Sequence, residues 1–418
     1  MDRFDLLERL KELPVIDMHE HFQTYEDTHG YNMPRFLYQN SYLNLFATFY
    51  PHELVDIIND SEKSPVQHFN ALLEIERIAR HTANGRFLHD LVKRFGVDML
   101  DEGSFEQLNC YFNARTPQSI EVNTPTIKTT IANSLGHPLF GYCRGIKTFL
   151  DSPPELPESI KVILCVTPLH CIHGLAELSD LEYVSGQPIS SLEDWEHCVR
   201  DIIYRCISLG IVGFKDIYMF FRTFSIDKPD ESIAKNQFSA MLRGDKAGKV
   251  LLDTMLYKVF GIINETGLAA AIHTGFSIET CESALYMRSV IDLMKTYTNT
   301  RFDLLHINYP KMEDYLIALK SCPNAYANCA IIPTVDEEFF TQFLRQAVDT
   351  LLISRVSLFG GDRHCPGEPV ACALDITLDH LSKAFYELIT RSTISVSAAL
   401  DIAGQWLYDN PKQIYTRK

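Results

Sequence analysis

Residues 248–275 read G-K-V-L-L-D-T-M-L-Y-K-V-F-G-I-I-N-E-T-G-L-A-A-A-I-H-T-G. Val250, Leu251, Met255, Leu256, Val259, Phe260 and Ile263 recur at helical spacing, which predicts a helix with one apolar face over 248–264. Gly267 is a stop signal, and Leu268 to Ile272 is an unbroken apolar run that halts at His273. A run of that kind suits a strand buried on both faces, as in a parallel sheet. A helix feeding a short strand, with a metal-capable side chain where the strand runs out, is the unit from which the rest of the chain can be read.

The unit recurs on both sides. Residues 192–209 place Trp195, Cys198, Val199, Ile202, Ile203, Cys206 and Ile207 on one helical face, Gly210 follows, and Ile211 to Ile217 reads as a strand containing Lys215. Downstream come a helix at about 281–297, a strand Phe302 to Leu305 stopping at His306, a helix near 311–321, a strand Ala325 to Cys329, a helix near 336–352, and a strand Val356 to Phe359 that leads through Gly360-Gly361 to Asp362. The stretch at about 371–408 is helical and leads into N-P-K-Q-I-Y. Near the start, Val15 to Asp17 of V-I-D-M-H-E-H would be the first strand. Alternating helices and apolar strands call for βαβ units. The expected fold is α/β, a (β/α)8 TIM barrel whose active site gathers at the strand ends.

Between His21 and Val162 the pattern is mostly helical, over 42–49, 52–59, 66–80 and 87–95, with dense aromatics in 31–50. This reads as a helical insertion after the first strand, at about 30–150. Val97 to Leu100 and Val162 to Val166 are the candidates for the strands that must also lie in this half. With no repeat, low-complexity tract or linker, 1–418 reads as one domain.

Apolar residues make up 46% and charged residues 22% of the 418, which permits a large core and argues against disorder. The net charge of −16 argues against a nucleic-acid surface, which would need a basic face. No apolar run approaches the ~20 residues of a membrane span. The 11 cysteines show no CxxC pairing and the N-terminus has no apolar signal core, so reduced thiols and a cytoplasmic location are expected. Cys165, Cys206 and Cys329 lie in apolar segments and read as small core residues.

The candidate site residues come from the strand ends. His19 and His21 stand two apart, so in a strand both imidazoles face the same side and can chelate one divalent ion. His273 reads as a further ligand. His306 reads as a ligand for a second ion or as a group that polarises substrate. Asp362 has the chemistry both to bind a metal and to take a proton from water. Lys215 is open between binding a substrate carboxylate, bridging two ions as a carbamate, and reaching solvent over a buried stem. Arg222 and Arg363 are candidates for clamping an anionic substrate group. His170 and His173, in L-H-C-I-H-G, read more readily as structural than as site residues.

These motifs resemble the amidohydrolase superfamily of metal-dependent hydrolases: D-M-H-E-H at the first strand, G-F-K-D at the fourth, I-H-T-G at the fifth, L-L-H-I-N-Y-P at the sixth, F-G-G-D at the eighth, and N-P-K-Q-I-Y at the end. Within it the chain is most similar to the amidohydrolase-related branch, and its long helical segment resembles the uronate isomerases. The resemblance covers 13–23 and about 190–415 well and 24–190 poorly. It implies that His19, His21, His273 and Asp362 bind one divalent ion, commonly zinc, with a second ion beside Lys215, His273 and His306 if the lysine is carbamylated. It implies hydrolysis of an amide, ester or lactone in a small substrate, expected to be anionic. An isomerase of uronate-like sugars, a decarboxylase, and a non-catalytic scaffold remain the alternatives. Barrels of this kind are often assembled, so a homo-oligomer is expected.

Overall fold

The structure is a computed structural model that describes residues 2–21, 32–114, 124–133, 143–222, 225–275, 287–365 and 367–415. Its eight parallel strands form one sheet in sequence order: β1 (Val15–Glu20), β2 (Ile127–Asn133), β3 (Ile160–Cys165), β4 (Gly213–Asp216), β5 (Ala269–His273), β6 (Arg301–Leu305), β7 (Ala325–Asn328) and β8 (Val356–Ser357). The sheet is a nearly closed barrel, the (β/α)8 architecture expected from the sequence. Helices cap the strands' return paths where sequence signals place them. Ser191 accepts from Asp194 N (3.1 Å) at the head of helix Leu192–Ser208. Gly267, at φ +66°, ends helix Lys249–Thr266.

The chain packs as two compact units, Met1–Thr130 with Cys329–Thr350 and Leu358–Tyr408, and Ile131–Asn328 with Leu351–Ser357 and Asp409–Lys418. In the first unit β1 is buried along its whole length. Met18 N donates to Phe359 O (3.0 Å), Asp362 N to His19 O (2.8 Å) and His21 N to Arg363 O (3.0 Å), so the run after β8 lies along β1. In the second unit the register aligns Cys165, Lys215, Ala271 and Asp303 across β3 to β6. Tyr415, in the last helix Asn410–Tyr415, donates from its hydroxyl to Asp303 Oδ2 (2.9 Å). Its ring occupies the space where Gly213 lacks a side chain. Cys165, Cys206 and Cys329 are buried, as small core residues should be.

Several element bounds differ from the sequence reading. Val97 to Leu100 is not a strand. Gly96 (φ +77°) ends helix Ala83–Arg94, with Gly96 N donating to Lys93 O (2.9 Å) and Val97 N to Val92 O (3.1 Å), so the apolar run is the hydrophobic tail of a helix cap. The second strand is Ile127–Asn133, inside the range 30–150 assigned to a helical insertion. The helices among the described residues of that range up to β2 lie within 33–113. The helical stretch at 371–408 is two helices, Glu368–Thr390 and Val396–Gly404, followed by a π-helical turn over Gln405–Asp409. Helix 281–297 is seen as Met287–Thr296, its earlier residues lying outside those described. Among the described residues no helix is long and apolar enough to cross a membrane.

The Gly213–Tyr415 contact gives a direct test. A Cβ at Gly213 would stand 2.8 Å from Tyr415 Cε1 and 3.0 Å from Ala269 O. Gly213→Ala should therefore cost about 1–3 kcal/mol, the usual range for overpacking, read as a lower urea midpoint. An unchanged midpoint would mean that the ring does not fill this space.

Candidate active site

In the first unit, β1 supplies His19, and His21 follows one residue beyond the strand. Their rings are 4.6 Å apart between centroids and nearly perpendicular at 82°. Both turn toward Asp362: His21 Nε2 is 2.9 Å and His19 Nε2 3.6 Å from Asp362 Oδ1. Asp362 itself has φ +55°, a left-handed conformation that costs a non-glycine residue on the order of 1–3 kcal/mol. The Tyr42 hydroxyl donates to its carbonyl and fixes that turn. The two glycines before it permit the close approach of the chain to β1. A Cβ at Gly360 would lie 3.1 Å from His19 Cβ, and one at Gly361 would lie 2.1 Å from Glu20 Oε1.

Two buried acids stand behind these histidines, and the sequence reading passed over both. Asp17 Oδ1 accepts from His19 N (3.2 Å) and Gly361 N (3.3 Å), while Glu20 Oε2 accepts from Arg363 N (2.6 Å). Burial pushes Asp17 up to about 7 and Glu20 well above the usual carboxylate range, and for Glu20 the charge of Asp17 beside it adds to the rise. Their signal was present as two acids flanking Met18 and His19 in the V-I-D-M-H-E strand. His364 was also missed. Its ring lies 6.1 Å from that of His21, and burial, with His21 beside it, pushes it down to about 4.

Arg363 is turned inward and 1% exposed. Its guanidinium donates to Asn40 O (2.8 Å) and Thr334 Oγ1 (2.6 Å) and lies 4.1 Å from the Phe87 ring centroid. Two nitrogens of the expected anion clamp thus have protein partners, which no sequence spacing could reveal.

The second unit carries the other candidates. His273 closes β5 and His306 follows β6, with their ring centroids 4.3 Å apart and Phe220 edge-on to His273 at 4.8 Å. Lys215 is fully buried in β4. Asp303, on the same register row, accepts from Asn328 Nδ2 (3.0 Å) and Tyr415. Burial pushes Asp303 up to about 6, against the pull of these bonds and of nearby Lys215. The neighbouring Asp216 behaves oppositely. Burial would raise it, but His170 Nε2 (3.1 Å), Thr167 Oγ1 (2.7 Å) and Tyr218 N (3.0 Å) outweigh burial and hold it below the usual range. His170 is therefore a fully buried partner of Asp216, consistent with its structural reading. Arg222 pairs with Asp253, which also accepts from Lys249 Nζ (2.6 Å) and Asp227 N (2.9 Å). Arg222 Nη1 is buried and has no hydrogen-bond partner among the described residues.

The amidohydrolase family model matches residues 187–416, more than half of the 418, and the chain belongs to that family. No curated protein matches it. Among solved structures, glucuronate isomerase from Caulobacter crescentus is similar at a TM-score of 0.77 and 13% identity, covering 100% of this chain and 94% of its own. Uronate isomerase from Thermotoga maritima is similar at 0.73 and 12%, covering 99% and 97%. A protein from Lactobacillus casei, provisionally assigned as a metal-dependent hydrolase, is similar at 0.66 and 15%, covering 98% and 97%. At these identities the likeness is one of fold.

The buried hydrogen bonds of Arg363 predict a stability role. Arg363→Met should lower unfolding free energy by about 2–3 kcal/mol, the scale of lost charge-assisted hydrogen bonds, measured by urea denaturation. Full stability combined with weakened binding of anions would instead restore the clamp role.

Proposed function

We propose that the chain is a metal-dependent hydrolase that cleaves a C–N or C–O bond in a small carboxylate-bearing amide, ester or lactone. The observation that carries this reading is the convergence of His19 Nε2 and His21 Nε2 on Asp362 Oδ1, within 3.6 Å, in a chain of the amidohydrolase family. Two imidazoles and a carboxylate on neighbouring buried backbone fit a divalent ion of zinc's type. His273 is the further ligand that the family resemblance supplies. A bound ion would add Lewis-acid polarisation and acidify a water.

The chain's own groups do the rest. Asp362 takes the proton from the attacking water and passes it to the leaving nitrogen or oxygen as the C–N or C–O bond breaks. His306 steadies the carbonyl oxygen. Arg222, whose buried Nη1 lacks a hydrogen-bond partner among the described residues, receives the substrate carboxylate. Lys215 acts as an ammonium on the same anion, and a stoichiometry of two ions per chain would reassign it as a carbamate bridge.

A second reading, a uronate isomerase, is favoured by one observation: isomerases of that class share the fold over 99% or more of this chain, including the part before β4. It uses the same metal ligands and also expects an anionic substrate.

Metal analysis and a substrate panel test both. Purified protein should contain a divalent metal that chelator removes, and His19→Ala should lack it while unfolding as wild type does. A variant with full metal content would sink the ligand assignment. Activity on N-acyl amino acids or lactones, abolished by chelator, supports hydrolysis, and activity on uronates alone supports the second reading. Arg222→Met should weaken anionic substrates tenfold or more relative to neutral ones, as loss of one charge-assisted pair implies. Equal losses for both would remove the arginine from the site.

A further inference from the structure

We propose that Thr274 and Asn308 form a clasp that re-aims the His306 imidazole toward His273, so that both act as positioning residues for the histidine pair. The inference rests on the metal-site reading, which gives the paired imidazoles their task.

The starting point is strand parity. Residues in register on neighbouring parallel strands share a face, and successive residues along a strand alternate faces. His273 is in register with Leu305. Had β6 simply continued, His306 would point away from His273. Instead their ring centroids are 4.3 Å apart.

The backbone explains how. His306, Ile307 and Asn308 have φ values of +70°, +50° and +49°, three successive non-glycine residues in the left-handed region. Ile307 is β-branched and fully buried, and residues of that type rarely enter this region. A turn of this kind persists only where its surroundings hold it.

The surroundings are the two residues after His273. Thr274 Oγ1 donates to Leu305 O, the carbonyl at the entrance to the turn, and accepts from Asn308 N (3.0 Å) at its exit. The Asn308 side chain completes the clasp in the other direction. Its Oδ1 accepts from Gly275 N (3.2 Å), and its Nδ2 donates to Lys311 O (3.0 Å). Gly275, at φ +85°, allows the two segments to touch, since a Cβ there would lie 2.8 Å from Tyr309 N. The Thr274 hydroxyl and the Asn308 carboxamide oxygen thus tie the end of β5 to the turn after β6, while the Asn308 carboxamide nitrogen braces the turn itself. Asparagine is among the residues that tolerate left-handed backbone, so its identity serves both the conformation and the bonds.

The test is structural first. Asn308→Gly takes positive φ freely, so it keeps the backbone accessible and removes only the side-chain ties. In crystals of Asn308→Gly and Thr274→Val, grown without added metal, the His273–His306 centroid separation should change by more than about 0.5 Å, the tolerance of a preorganised site. Thr274→Ser, which retains the hydroxyl, should keep the wild-type spacing. Unchanged spacing in Asn308→Gly overturns the clasp, and that variant decides alone if Thr274→Val does not fold. Cobalt(II) titration, followed by its visible absorption, separates this result from the reading beneath it. Wild-type protein should bind cobalt and His19→Ala should not. A wild type that binds none removes the metal reading, while the ring spacing still decides whether the clasp positions His306.

Discussion

The close approach of residues 359–363 to β1 is the constraint on which the candidate site depends. Three backbone hydrogen bonds, from Met18 N, Asp362 N and His21 N, join segments more than three hundred residues apart in sequence. They are favoured because positions 360 and 361 carry no side chain: a Cβ at 360 would stand 2.8 Å from Ala330 Cβ and 3.1 Å from His19 Cβ, and one at 361 would stand 2.1 Å from Glu20 Oε1. Once the backbones are this close, the side chains of His19, His21 and Asp362 have little choice but to converge. Metal-binding geometry here is therefore a consequence of sheet pairing and of two glycines, before any ion is considered.

The same proximity buries charge, and the molecule compensates for each buried group locally. An ionised group taken from water needs hydrogen bonds or a partner, or else it changes protonation. Asp17 and Glu20 are pushed up by burial, against which their few backbone donors do too little. Asp216 stays ionised, because a hydroxyl, an amide and an imidazole all converge on it. Arg363 is held by a carbonyl, a hydroxyl and an aromatic face. Asp17 and Glu20, in the strand that carries His19, thus differ from Asp216 in the other unit by the donors their neighbours provide, not by burial, which is complete for all three.

Much of the second half of the barrel was legible in the sequence because helices alternate there with short stretches that carry apolar residues. β5 reads A-A-A-I-H after Gly267 and β4 follows Gly210, while β6, β7 and β8 are shorter or mixed and were found by their place after a helix. β2 reads differently: I-K-T-T-I-A-N is polar over its first half, where it is partly exposed, and buried only over its last four residues. An alternating or half-buried strand in a parallel barrel has no apolar run to find. Val97 and Leu100 imitated one because a helix cap also needs a buried apolar residue beyond its glycine. The site residues were legible as residue types at strand ends. Their partners were not, since Asn40, Thr334 and Phe87 meet Arg363 from three separate stretches of sequence.

Strand spacing alone could not have told which strand-end groups point where. His19 and His21 share a face by the two-residue period of a strand. Asp362 and His306 do not follow from any period, because each sits at a left-handed residue, φ +55° and +70°. The barrel supplies positions to within a strand, and the turn supplies the final direction of the side chain. Strained turns raise the energy of the folded chain, so they survive where neighbours such as Tyr42, Thr274 and Asn308 restrain them. It follows that the residues one and two places beyond the strand-end histidines carry as much of the site's geometry as the histidines do, although their side chains suggest no chemistry of their own.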